Sequence, residues 1–285
     1  LMKGNVLVGQ SGGPTAVINS SLAGVVQAAK KYGAGKVHGM HYGIEGFLQE
    51  DIIDPDDYIT CHADISLLKR TPSAFLGSCR YKLPPIEGNE DIYDKMFAIM
   101  EKYNIEYFLY IGGNDSMDTI KMLSDYAAKK EKPQKFMGVP KTIDNDLPLT
   151  DHTPGYGSAA KYIATSMKEI IRDNASFGAS KPTVCIVEIM GRHAGWLTAA
   201  AALSKDSDCE GPDLIYLPEV PFDMDSFMTK VKQLAETKRS VVIAVSEGVR
   251  LPDGRFVCEL GNMNDYVDAF GHKQLSGCAS YLANK

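Results

Sequence analysis

The stretch Asn5-Val-Leu-Val-Gly-Gln-Ser-Gly-Gly13 leads from a short apolar run into a turn that ends in two adjacent glycines. Apolar residues at helical spacing follow it, at Ile18, Leu22, Val25 and Ala29. A buried strand, a glycine turn and an amphipathic helix in this order are typical of one βα unit of a parallel sheet. The stretch therefore predicts an α/β fold.

The same order of apolar run and polar turn recurs further along the chain. Because right-handed crossovers bring the carboxyl ends of parallel strands to one edge of a sheet, we expect all the turns to meet in one crevice. Ligands of open α/β sheets usually bind in such a crevice. The later turns are Gly112-Gly-Asn-Asp-Ser116, Lys141-Thr-Ile-Asp-Asn-Asp146, Met190-Gly-Arg192 and Ser246-Glu-Gly248.

The chain length indicates about two domains, since 285 residues is roughly twice the usual domain size of about 150. The loop Leu147-Pro-Leu-Thr-Asp-His-Thr-Pro-Gly155 carries two prolines and a closing glycine between a predicted strand and a predicted helix. We therefore predict one domain over residues 1–154 and a second over residues 155–285.

Composition narrows the class of partner. The chain has 30 Lys and Arg against 36 Asp and Glu, a formal charge of −6, whereas nucleic acids and anionic membranes both favour basic surfaces. No apolar run approaches the roughly 20 residues of a spanning helix. We expect small-molecule substrates, with neither nucleic acid nor membrane as a partner.

The cysteines and the N-terminus indicate the compartment. The six cysteines contain no C-x-x-C pair, which argues against a zinc site or a disulfide framework. No basic segment followed by an apolar stretch and a cleavage site is present at the N-terminus. We therefore expect reduced thiols and a cytoplasmic location.

The paired glycines of the first two turns suit an anion. Glycine lets the backbone approach a ligand, and free N–H groups at a helix N-terminus favour phosphate. The alternative is a tight βα turn that needs a positive φ. No Gly-Lys-Ser/Thr follows Gly13 or Gly113, so neither turn is a P-loop.

The turn after the next strand carries two carboxylates, Asp144 and Asp146. One can act as a general base on a hydroxyl while the other arranges metal or water. Lys141 supplies a cation beside them. The alternatives are a solvated turn with side-chain-to-backbone hydrogen bonds and an ordinary surface lysine.

Two arginines and one glutamate complete the set. Arg80 and Arg192 could each hold a phosphate through two parallel hydrogen bonds, or form a surface ion pair. Glu247 follows a strongly apolar strand, a position that favours a ligand-facing carboxylate. We interpret His193 and Trp196 as structural. The set predicts a phosphorylated small molecule, a carboxylate base and phosphoryl transfer.

Five ordered motifs resemble the 6-phosphofructokinase family, and the resemblance covers essentially the whole chain. It implies two Rossmann-like three-layer α/β domains with mostly parallel sheets and an active site in the cleft between them. It also implies Mg²⁺-dependent phosphorylation of fructose 6-phosphate at its 1-hydroxyl, in glycolysis. The motifs are Gly9-Gln-Ser-Gly-Gly-Pro-Thr-Ala-Val-Ile-Asn19, Gly112-Gly-Asn-Asp-Ser116, Pro140-Lys-Thr-Ile-Asp-Asn-Asp146, Met190-Gly-Arg192 and Ser246-Glu-Gly248.

The resemblance implies a role for each matching residue. The first domain binds the phosphoryl donor, the second binds fructose 6-phosphate, and Asp144 is the general base. The implied sugar-phosphate contacts are Thr142, Asp146, Met190, Gly191, Arg192 and Glu247, of which Arg192 also faces the transferring phosphoryl. The implied donor contacts are Gly13, Arg80 and Lys141. Asn114 stands where ATP-using members have a metal-binding Asp.

Asp115 and Lys141 resemble the diphosphate-dependent branch, because ATP-using members have glycine at both positions. A carboxylate where the α-phosphate of ATP would lie occupies its space and repels it. At about 4 Å and an effective dielectric constant near 20, one such contact costs on the order of 4 kcal/mol. The implied catalytic set is Asp144, Lys141, Asp115 and Arg192, and the implied reaction is reversible.

The chain departs from the family pattern after Lys285, where members continue with residues that grip the 6-phosphate. We therefore expect a fragment whose second domain is incomplete at the C-terminus. The alternatives are an ATP-dependent 6-phosphofructokinase and a noncatalytic regulatory subunit. Because neighbouring subunits usually complete the sugar site in this family, the resemblance implies a homodimer or homotetramer.

Overall fold

The computed structural model of the protein describes residues 3–177, 180–261, 275 and 277–285. These residues divide into two compact units, one that ends at Thr142 and one that begins at Ile143. The assignment of residues 1–154 to the donor and 155–285 to the sugar stays a prediction.

A five-stranded sheet forms the centre of the first unit. Its strands are β1 (Asn5–Gln10), β2 (Val37–Met40), β3 (Ile52–Ile53), β4 (Ile105–Gly112) and β5 (Lys135–Pro140). Their spatial order is β3-β2-β1-β4-β5, and every neighbouring pair is parallel except β2 with β3. The carboxyl ends of β1, β4 and β5 therefore lie at the same edge.

Helices cover both faces of this sheet. They are α1 (Ile18–Lys31), α2 (Gly43–Phe47), α3 (His62–Leu68), α4 (Glu90–Lys102) and α5 (Asn114–Lys129), with a 3₁₀ turn at Pro55–Asp57. Leu7 packs in one apolar cluster with residues of α4 and α5, while its neighbours Val6 and Val8 pack in a second with residues of α1 and α3, as strand alternation requires. All four residues of the predicted apolar stripe on α1 are buried, which confirms that helix.

The second unit repeats the design on a smaller sheet. Its described strands are β6 (Thr183–Ile189), β7 (Leu214–Tyr216) and β8 (Ser240–Ser246), all parallel in the order β6-β8-β7. Its described helices are α6 (Tyr156–Ala175), α7 (Trp196–Ala199), α8 (Met224–Thr237) and α9 (Cys278–Ala283), with 3₁₀ segments at Ala200–Ser204 and Val257–Leu260.

The central strand β8 sorts its side chains between two layers. Ile243 and Val245 pack in the cluster that contains residues of α8 and α9, whereas Val242 and Ala244 pack in the cluster that contains residues of α6 and α7. The α/β class with mostly parallel sheets is thus confirmed. Among the described residues, no helix has the length and apolar character needed to cross a membrane.

The two sheets divide the polar turns between them. The turns after β1 and β4 belong to the first unit and those after β6 and β8 belong to the second, while the turn after β5 is divided, with Lys141 and Thr142 in the first unit and Ile143 to Asp146 in the second. The sequence prediction placed all five on one edge. The difference arises because α6 leads into a new sheet instead of extending the first one.

Candidate active site

The glycine turn after β1 is tied to the segment that precedes Arg80. Gly12 has a φ of +73°, a conformation that L side chains rarely adopt, so the tight-turn interpretation holds at this residue. Its N–H donates to Cys79 O at 3.0 Å, and Ser78 Oγ donates to Gly12 O at 2.5 Å. The structure therefore places the Arg80 segment beside Gly13.

Lys141 links three turns of the first sheet. It is only 7% exposed, so it is not an ordinary surface lysine. Its backbone N–H donates to Gly112 O at 3.0 Å, and its Nζ donates to Gly13 O at 2.6 Å. Burial and then the charge of Arg80 lower the pKa of Lys141. A buried ammonium with a second cation nearby is well suited to an anionic ligand.

Helix α5 begins at the same edge, next to Lys141. A Cβ placed on Gly113 would lie 3.9 Å from Lys141 O, so the helix start and the lysine backbone are neighbours. Asn114 is exposed and Asp115 is half-buried in the first helical turn. Amide groups at a helix N-terminus favour anions, and at this helix Asp115 itself supplies a negative charge.

In the second unit, Asp144 lies in a half-buried position with both signs of charge around it. Burial raises the pKa of the Asp144 carboxyl above its usual range, and the charge of exposed Asp146 raises it further. The Arg192 guanidinium acts in the opposite direction. Such a carboxylate is more basic than an exposed one and has a cation close by, as a general base in phosphoryl transfer requires.

The turns after β6 and β8 hold each other in place. Gly191, with a φ of +131°, donates its N–H to Glu247 Oε1 at 3.2 Å and accepts a hydrogen bond from Ser246 Oγ at 2.7 Å. A Cβ on Gly248 would lie 2.0 Å from Arg192 O, so only glycine fits there. The backbone of Arg192 is therefore fixed by residues of the other turn.

Glu247 belongs to the same electrostatic cluster. Burial raises the pKa of Glu247, and the charges of Asp144 and Glu188 contribute to the rise. The N–H of Gly191 and the charge of Arg192 lower it. Two carboxyls with raised pKa values thus share one guanidinium in the second unit.

His193 makes a contact that the sequence pattern does not predict. Arg250 Nη2 lies 2.7 Å from His193 Nδ1, and because a guanidinium can only donate, the imidazole accepts at Nδ1. Burial, then Arg250 and Arg192, lower the pKa of His193, while Asp146 raises it. The charges of Arg192 and Asp146 therefore act on His193, and its structural role stays a prediction. Its position directly after Arg192 was the available signal.

The remaining predicted residues have less defined surroundings. Met190 is 59% exposed at the end of β6, and Thr142 is the last residue of the first unit. Trp196 begins α7, and its carbonyl accepts a hydrogen bond from Tyr156 at 3.4 Å. Within the described residues, no group of three His, Cys, Asp or Glu side chains is arranged to hold a metal ion.

Comparison with known proteins gives consistent matches. The sequence matches the phosphofructokinase family over residues 5–284. It is 44% identical over 283 residues to the pyrophosphate–fructose 6-phosphate 1-phosphotransferase of Halomonas elongata, covering 98% of this chain and 66% of that protein. The protein of the same name from Xanthomonas campestris pv. campestris is also 44% identical over 283 residues, with 99% and 66% covered.

A solved structure agrees with these sequence matches. The crystal structure of pyrophosphate-dependent phosphofructokinase from Nitrosospira multiformis superposes with a TM-score of 0.79 at 42% identity, covering 88% of this chain and 62% of that one. The chain spans 66% of the length of the two curated relatives named above.

Proposed function

The chain belongs to the phosphofructokinase family, and we propose that it takes part in transferring a phosphoryl group from diphosphate to the 1-hydroxyl of fructose 6-phosphate. The products are fructose 1,6-bisphosphate and orthophosphate, and the reaction runs in both directions. The observation that carries the proposal is the second-unit cluster in which the charge of Arg192 acts on two partly buried carboxyls, Asp144 and Glu247, whose turns are joined by hydrogen bonds at Gly191.

Asp144 is the proposed general base. It takes the proton of the 1-hydroxyl as that oxygen attacks the phosphorus of the donor, and the bond from phosphorus to the leaving phosphate breaks. Arg192 stabilises the negative charge of the transferring group, since phosphoryl transfer depends mainly on positioning and charge stabilisation. Asp146 supports the base by raising its pKa.

Fructose 6-phosphate is the proposed ligand of the second unit. The fixed backbone at Gly191 and the side chains of Arg192 and Glu247 offer it donors and an acceptor. The other proposed sugar contacts are Thr142, Asp146 and Met190.

Diphosphate is the proposed ligand of the first unit. Gly13, Arg80 and the buried Lys141 surround one edge of the sheet. Lys141 would carry charge on the leaving phosphate, because its ammonium is held in place by Gly13 O. Asp115, in the first turn of α5, would repel the additional phosphate of a nucleoside triphosphate.

Mg²⁺ is the proposed metal ion. Mg²⁺ usually keeps several waters and is bound through one or two protein oxygens together with substrate phosphates. Asn114 offers a neutral oxygen beside Asp115 at the start of α5. Bound there, the ion would neutralise charge on the phosphates of the donor.

Two alternatives use the same residues differently. An ATP-dependent enzyme would have to accommodate the triphosphate next to Asp115. A noncatalytic regulatory subunit would not need an intact base, yet Asp144 and its cation Arg192 are both present. Both features favour the diphosphate-dependent enzyme. We further propose that it works in the cytoplasm as a homodimer or homotetramer.

A donor comparison on the complete gene product tests the proposal. Fructose 6-phosphate and Mg²⁺ are supplied with diphosphate or ATP as the sole donor, and bisphosphate formation is followed. We expect turnover with diphosphate and at least about a hundredfold less with ATP, as a repulsion of about 4 kcal/mol would allow. Turnover with ATP alone would support the ATP-dependent alternative, and no turnover with either donor would support the regulatory subunit.

A further inference from the structure

Asn145, between the two carboxylates Asp144 and Asp146, has an unusual backbone conformation. Its φ is +58°, in the left-handed region that Asn tolerates better than most L residues. It is also only 7% exposed, whereas Asp146 next to it is exposed. A buried amide side chain has to satisfy its donors and its acceptor within the protein.

Both ends of the Asn145 amide bind the loop that follows. Its Nδ2 donates to Asp151 O at 3.1 Å, and its Oδ1 accepts from Thr153 N at 2.9 Å. Thr153 is itself only 2% exposed. The side chain thus closes the loop 146–152 by two hydrogen bonds to its backbone.

We propose that Asn145 is a positioning residue of the phosphoryl-transfer reaction, because its amide ties the turn to Asp151 and Thr153 and so fixes the direction of the Asp144 carboxylate. This inference rests on the proposed function of Asp144 as the base. Fixing the backbone of the central residue of a turn restricts the directions of both flanking side chains, and a base displaced by about 1 Å can lose about a hundredfold in rate.

The direction of the Asp144 carboxylate matters because charged groups act on it. Asp146, Arg192 and Glu247 all act on it electrostatically. Asp144 is half-buried, so a rotation toward solvent would weaken both its desolvation and its interaction with the guanidinium. The competing explanation is that Asn145 is present only because the turn needs a positive φ, which glycine would supply as well.

Two variants of the complete protein separate these explanations. Asn145→Gly keeps the positive φ accessible and removes both amide hydrogen bonds, and Asn145→Ala removes the bonds and strains the backbone. Asn174→Ala is the matched control, because Asn174 Nδ2 donates to Ser240 Oγ at 2.7 Å in the same unit. We expect both Asn145 variants to lower kcat with diphosphate by about 10- to 100-fold and the control to stay within about twofold of wild type. A wild-type kcat in Asn145→Gly would overturn the proposal.

The pH dependence of kcat/KM gives a second readout, which a loss of folded protein would not move. The base acts only when deprotonated, so activity falls as the pH drops through its pKa. When Asp144 is released toward solvent, its raised pKa falls toward the ordinary value. In Asn145→Gly the acid limb should therefore shift to lower pH, and an unmoved limb would contradict a positioning role.

Amide hydrogen exchange at Thr153 tests the hydrogen bond between Thr153 and the Asn145 side chain without measuring activity. We expect this N–H to be protected in the wild type and in Asn174→Ala, and to exchange at least about tenfold faster in both Asn145 variants, because they lack its acceptor. Unchanged protection would show that the Asn145 side chain does not hold the loop at Thr153. If the wild type turns over and only the Asn145 results fail, the positioning inference alone is wrong, whereas an inactive wild type would refute the proposed function together with it.

Discussion

Asp144 has the two properties that a general base in phosphoryl transfer needs, a carboxyl made more basic by burial and a cation that interacts with it. Replacement by Asn keeps the shape and removes the proton acceptor. We expect Asp144→Asn to lower kcat by about 10²- to 10⁴-fold while fructose 6-phosphate still binds within about threefold of wild type. Steady-state rates and calorimetry measure the two effects, and near wild-type turnover would refute the role of the base.

The raised pKa of Asp144 also predicts a pH effect on stability. A carboxyl whose pKa is higher in the folded protein than in the unfolded chain binds more protons when folded, so folding loses stability as the pH rises through this range. We therefore expect Asp144→Asn to raise the Tm at pH 7 and to raise it less at pH 4. Melting curves at the two pH values check this, and an equal shift at both would show that the ionised carboxyl carries no folding cost.

Asp115 is the residue to which we attribute donor choice. Asp115→Gly removes the carboxylate from the first turn of α5, so ATP should gain affinity by up to about three decades while Lys141 still favours diphosphate. Asp118→Gly is a matched control, because it removes an exposed carboxylate one helical turn further on. Calorimetry with ATP measures the gain, and equal binding by the wild type and both variants would show that Asp115 is not the gate.

For single residues, the sequence predicted the chemical type of the side chains at the site better than it predicted their contacts. The carboxylate pair and Arg192 are visible as residue types that follow strands. The burial of Lys141 and the hydrogen bond between Arg250 and His193 depend on segments that are distant in sequence. The hydrogen bonds of the Asn145 side chain depend on the conformation of its turn. The contacts of Lys141 and Asn145 leave no local pattern in the sequence, and for His193 the available signal is its position directly after Arg192.

At the scale of elements, the turns after β6 and β8 stabilise each other through Ser246, which is fully buried. Ser246→Ala removes the hydroxyl that donates to Gly191 O and accepts from Gly248 N at 3.1 Å. We expect a loss of about 1–3 kcal/mol in unfolding free energy, since buried polar groups lose their partner. The KM for fructose 6-phosphate should rise as well, because the backbone beside Arg192 is released.

Asp223→Ala is the control for this prediction. Asp223 caps α8 by accepting from Ser226 N at 2.6 Å, and its loss should cost about 1 kcal/mol. Denaturant unfolding and sugar kinetics on both variants separate stability from site geometry. An unchanged KM in Ser246→Ala, or an equal rise of KM in Asp223→Ala, would contradict a specific role for the Ser246 hydrogen bonds that join the two turns.

The sequence also predicted the individual strands and helices better than it predicted how the strands pair into sheets. Alternating apolar runs and helical spacing identified the strands before the polar turns and the helix at Ile18–Lys31. They did not reveal that β6 starts a second sheet, because a parallel strand has the same apolar pattern whichever sheet it joins. Strand pairing is set by contacts distant along the chain.

For the whole molecule, the net charge of the chain does not describe the charges near its polar turns. The formal charge of −6 disfavours anionic macromolecules, yet cations lie at the polar turns of both units. Arg80 interacts with Lys141 in the first unit, and Arg192 and Arg250 act on His193 in the second. Cations are thus present at the turns where small phosphorylated ligands are proposed to bind.

The reverse reaction of the complete gene product tests whether diphosphate is the phosphoryl donor for fructose 6-phosphate. Fructose 1,6-bisphosphate and Mg²⁺ are incubated with orthophosphate or with ADP, and the products are followed by phosphorus NMR. We predict that a diphosphate resonance grows with orthophosphate as fructose 6-phosphate forms, and that no ATP forms with ADP. ATP formed from ADP, with no diphosphate from orthophosphate, would show that the enzyme uses ATP and not diphosphate.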